Sequence, residues 1–81
     1  MNDNRPVNKN DFWFVSAIQI VFDREIPEKW QITRGRTYAA LISGKWDAYI
    51  GIVLYDDYNQ LIETIVPYEL IGKEYHIRPL A

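Results

Sequence analysis

The chain of 81 residues holds one histidine, His76, and no cysteine. Zinc sites are built from several Cys and His ligands, so a lone imidazole does not make one. His76 sits on the polar side of the last apolar–polar alternation and reads as a solvated surface histidine. Asp56 and Asp57 are the only adjacent carboxylates. Acid–base work or a hard metal would need more oxygen ligands or a perturbing partner from elsewhere in the chain. In "DDYN", between two apolar runs at hairpin spacing, they read instead as turn residues that hydrogen-bond their own backbone. Ser16 and Ser43 are the only serines, and neither has a base near it in sequence to activate a hydroxyl. The glycines, Gly35, Gly44, Gly51 and Gly72, are scattered singly and form no phosphate-cradling loop. The expectation is a protein with no catalytic centre, no metal and no cofactor.

One other set of residues carries chemistry. Arg34, Arg36, Lys45 and Trp46 combine positive charge with an aromatic ring, the combination by which small barrels stack bases and neutralise phosphates. Against this stands a net charge of −2, which offers no long-range attraction to nucleic acid or an anionic membrane. Solvated turn charges with Trp46 packed as a lid are the simpler expectation. The acidic loop residues Asp23, Glu25 and Glu28 are likewise expected to be solvated.

The elements that position these groups read as strands. Residues 1–10, rich in Asn and without large apolar side chains apart from Val7, are expected to be a disordered tail; residues 11–81 form the domain. The run 12–22, "FWFVSAIQIVF", is rich in β-branched and aromatic side chains and predicts a first strand. A charged loop follows at 23–33, with Trp30 and Ile32 expected to tuck back toward the core. Gly35 supplies the turn before a second strand at 37–42. A third strand at 46–55 is apolar on both faces, the pattern of a central strand. "DDYN" closes a hairpin to a fourth at 61–66. Pro67 opens one helical turn at 67–70, and a short last strand covers 74–78.

This order resembles the Src-homology-3-like (SH3-like) barrel over residues 12–78. "ITRGRTY" stands where that family has an L-x-x-G-D-x-Y segment at the end of its long loop. "IVPYEL" stands for its hydrophobic-Pro-x-x-aromatic segment. The resemblance implies an all-β, five-stranded, mostly antiparallel barrel. It would place Trp46, Pro67 and Tyr68 at the family's peptide groove, although the A-L-Y-D-Y first strand is replaced by "FWFVSAIQIVF". The chain also looks like small phage and mobile-element proteins. Their G-K-x-Y, DD-x-G and Y/V-P-x-x-x-F/L pattern corresponds here to Gly35, Arg36 and Tyr38, then Asp56, Asp57 and Asn59, then Val66, Pro67 and Leu70.

The sequence therefore points to a non-enzymatic protein-binding module or small inhibitor of phage type. The absence of Cys, of a signal peptide and of a membrane-length apolar run places it, as an expectation, in the cytoplasm. The first strand is too apolar for one dry face, so Phe12, Trp13 and Val15 are expected to meet another protein or a second copy. The alternative is a nucleic-acid-binding barrel using Arg34, Arg36, Lys45 and Trp46.

Overall fold

The computed structural model describes residues 16–80. Within them the chain forms five strands: β1 (Ala17–Phe22), β2 (Thr37–Lys45), β3 (Tyr49–Tyr55), β4 (Leu61–Pro67) and β5 (Tyr75–Pro79). A 3-10 turn, Tyr68–Leu70, separates β4 from β5. All ladders are antiparallel, in the order β4-β3-β2-β1-β5.

Alternation decides which side chains are buried. In β1, Ile18, Ile20 and Phe22 are wholly buried while Ala17, Gln19 and Val21 between them are half-buried. Ile50, Ile52 and Leu54 of β3 and Ile62 and Val66 of β4 point the same way. With Tyr38, Ala40, Ile32, Ile71 and Tyr75 they make one core to which every strand contributes. Phe22 is its aromatic hub, with Trp30, Tyr38 and Tyr75 meeting it edge-on at centroid distances of 6.2, 6.3 and 5.5 Å.

The loop after β1 is ordered by that hub. Ile32 is buried, Trp30 packs against the core, and the Trp30 N–H donates to the Pro27 carbonyl at 2.9 Å. Gly35 closes the loop with φ 87°, a left-handed conformation that a side chain would disfavour, and its N–H donates to the Phe22 carbonyl.

Three boundaries differ from the expectation, the first being that Ser16, expected inside the first strand, lies before β1. The second strand does not stop at 42 but continues to Lys45 through a bulge between Ile42 and Gly44, and the third begins at Tyr49 rather than at Trp46. The extra residue of the bulge is what lets "SGK" stay in the ladder. A further difference concerns closure. A barrel was expected, yet no ladder joins β4 to β5 and the sheet is open. The reason is the connection: β4 runs into Pro67, the 3-10 turn and a Gly72 turn at φ 89°, not into a hairpin, and this path delivers β5 to β1.

Candidate functional site

The face of the sheet turned away from the core carries the other residues of each strand. Along β2 these are Ala39 and Leu41; along β3, Gly51, Val53 and Tyr55; along β4, Leu61, Glu63 and Ile65. The register sets Leu41, Val53 and Glu63 in one row, Tyr55 opposite Leu61 in the next, and Gly51 opposite Ile65 in another. Leu41, Tyr55, Leu61 and Ile65 are each more than half exposed. Exposed apolar groups gathered on one face in this way mark interaction sites, although Glu63 stands among them.

Trp46 extends this face. Its indole lies over Gly44 and Gly51: a Cβ at Gly44 would overlap the ring, and one at Gly51 would sit 3.0 Å from the ring and 2.9 Å from the Ser43 hydroxyl. The two glycines, paired with each other across β2 and β3, leave the space that the six-membered ring of the indole occupies. Tyr49 stacks on the indole at 5.1 Å with 25° between the planes, and the Trp46 N–H donates to the Tyr49 carbonyl. Half the Trp46 side chain still faces solvent. Beside Tyr49, Asp47, Ala48, Pro67, Tyr68 and Glu69 complete the lining of an open cleft of about 450 Å³. Register brings this about, since Tyr49 pairs with Pro67 and the Tyr68 N–H donates to the Ala48 carbonyl. Trp46 is thus packed, as a roof on the outer face and not as a lid on the core.

The four residues of the basic–aromatic set do not form one patch. Arg34 and Arg36 precede β2, whereas Lys45 and Trp46 lie at its far end, a separation on the order of 25 Å along a nine-residue strand. Both arginines are engaged by acids: Arg36 Nη1 donates to Asp57 Oδ1 at 2.8 Å, and Arg34 Nη2 lies 3.3 Å from Asp23 Oδ1. Phe12, Trp13 and Val15 fall outside the described residues.

The adjacent carboxylates divide their work. Asp56 is buried, and its Oδ1 accepts the backbone N–H of Tyr58 at 2.9 Å and of Gln60 at 2.8 Å, closing a hairpin in which Asn59 adopts φ 63°. Asp57 reaches out of the turn. Its carboxylate accepts from the hydroxyls of Thr33 and Tyr38, each at 2.7 Å, and from Arg36, while its N–H donates to the Gln31 carbonyl. The Thr33 hydroxyl and then the Tyr38 hydroxyl hold the Asp57 carboxyl below its ordinary value of 3.8, against an opposing desolvation and with a lesser contribution from the Arg36 charge. His76 Nε2 stands 3.2 Å from Asp23 Oδ2, and the imidazole and then Arg34 lower the Asp23 carboxyl likewise. Among the described residues no cluster of three or more His, Asp or Glu is placed to hold a metal ion. No described helix is long and apolar enough to cross a membrane.

Sequence reasoning missed the outer face. The signal was present in the odd-numbered positions of the third and fourth runs, Val53, Tyr55, Leu61 and Ile65, which are apolar out of phase with the core positions. No protein-family model, no curated protein and no solved structure matches the chain.

Proposed function

We propose that the chain is a non-enzymatic protein-binding module that docks a partner on the outer face of β2, β3 and β4. The observation that carries this reading is the distribution of exposed apolar groups. Of the seven large ones among the described residues, five, Leu41, Trp46, Tyr55, Leu61 and Ile65, share that face. Their chemistry favours a protein surface: broad aliphatic contacts, two aromatic anchors in Trp46 and Tyr55, and a single charge, Glu63, in the field. A small inhibitor works by the same means, covering a target with one apolar surface.

The reading of the fold as an SH3-like barrel belongs with this proposal. The strand order with β5 returned beside β1, and the 3-10 turn ahead of β5, support it. Fold likeness alone names no ligand. The basic–aromatic alternative loses support, because its cations are split between the two ends of β2.

The test is Leu41→Glu, at a position 58% exposed and remote from the core. Affinity capture with the unaltered chain should retain a protein that the Leu41→Glu chain, folded by circular dichroism, no longer retains. A captured partner indifferent to Leu41→Glu would remove this face from consideration.

A further inference from the structure

We infer that the partner at β4 is a second copy of this chain, added edge to edge so that two sheets become one. This goes beyond the face-docking reading, since it concerns the edge of β4 and not the outer face.

The sheet has two edges, and they are not alike. β5 is short and ends in Pro79, with His76 and Arg78 along it, the residues by which edges are ordinarily protected. β4 is seven residues long, "LIETIVP", with one charge and its only proline at the very end. It bears no bulge, because its register to β3 runs unbroken from Tyr55↔Leu61 to Tyr49↔Pro67. Among the described residues, no backbone hydrogen bond reaches its far side. Such a strand is a template for another strand.

The sequence of β4 also favours itself as that strand. In an antiparallel pair related by a two-fold axis, one residue must face its own copy. Centring the axis on Glu63 would set two carboxylates opposite each other, which is unfavourable. Centring it on Thr64 pairs all seven residues: Leu61 with Pro67, Ile62 with Val66, Glu63 with Ile65, and Thr64 with Thr64 of the other copy. No like charges then meet. The axis stands normal to the sheet, so the outer faces of both copies lie on the same side. Leu41, Tyr55, Leu61 and Ile65 of one copy then continue into those of the other as a single doubled surface.

The register predicts a cross-link. Directly facing residues in an antiparallel pair have Cα atoms about 4.5–5.5 Å apart, within disulfide range. The natural chain has no cysteine, so any disulfide formed is unambiguous. With the full chain, sedimentation across a concentration series should show a monomer–dimer equilibrium. Thr64→Cys should oxidise to a linked dimer, whereas Tyr58→Cys, exposed at the hairpin tip, should not. Ile65→Glu, at an exposed position, would face Glu63 of the other copy with a like charge and should raise the dimer Kd by about tenfold or more while leaving the dilute monomer folded. A chain that stays monomeric throughout, a dimer insensitive to Ile65→Glu, or equal cross-linking at both cysteines would overturn the inference. None of these results touches the Leu41→Glu experiment, so the edge and the face fail separately.

Discussion

At the scale of single residues, the two aspartates of "DDYN" show how one residue type takes two roles one position apart. Asp56 turns inward and satisfies two backbone N–H groups that nothing else in the hairpin reaches. Asp57 turns outward and ties the hairpin to the loop before β2 through Thr33, Arg36 and Tyr38. Reading both as turn residues accounts for the first and falls short for the second, because its partners lie 19 to 24 residues away in sequence. Removing the Asp56 carboxylate should therefore leave two part-buried donors without their acceptor. Asp56→Ala is expected to cost about 1–3 kcal/mol in urea unfolding, and Asp56→Asn, which keeps an acceptor oxygen, distinctly less. Equal losses in the two variants would mean that the carboxylate's charge, and not its acceptor geometry, supports the turn.

At the scale of elements, β3 carries the main lesson. Its run "YIGIVLY" is apolar on both faces, and it is indeed central, flanked by β2 and β4. Only one face meets the core: Ile50 and Ile52 are fully buried, whereas Tyr55 is 62% exposed. Composition registers that both faces are apolar and is blind to whether anything within the chain covers the second. The two faces should respond differently to truncation. Ile52→Ala, in the core, is expected to lose about 2–5 kcal/mol, and Leu41→Ala, on the open face, to stay within about 0.5 kcal/mol of the unaltered chain. A large loss from Leu41→Ala in the dilute protein, measured by denaturant unfolding, would show the outer face to be covered from within. The bulge in β2 was equally hidden. "LISGK" reads as a strand end because Ser and Gly are turn residues, but Gly44 is there to admit the Trp46 ring.

At the scale of the whole molecule, two carboxylates hold separate parts of the chain together: Asp57 joins the β3–β4 hairpin to the loop before β2, and Asp23 joins that loop to β5 through Arg34 and His76. Both have folded-state values below the ordinary 3.8. A carboxyl lowered by folding stabilises the native state above its unfolded value, and the contribution is lost as pH falls through the folded value. Stability should thus hold from neutrality to about pH 4 as far as these groups are concerned, then fall with further acid. Asp57→Asn should flatten that fall in a series of unfolding midpoints against pH. An unchanged slope would assign the acid sensitivity to other carboxylates. The Asp23 side chain is half exposed and Arg36, the cationic partner of Asp57, is mostly so, which lets salt weaken the effect.

The sequence by itself determined the strands, since periodicity and β-branching are local properties: β1, β3, the hairpin, the 3-10 turn and β5 all lie within a few residues of where the pattern placed them. It also determined that Trp30 and Ile32 turn inward and that Gly35 bends the chain. Tertiary structure alone decided how those strands join and what their faces meet. Pairing β5 with β1 rather than β4 left β4 at one end of the strand order, and the register of β2, β3 and β4 gathered Leu41, Tyr55, Leu61 and Ile65 onto one surface with Trp46. The same geometry parted Arg34 and Arg36 from Lys45 and Trp46, because a strand that keeps neighbours in sequence also carries its two ends apart.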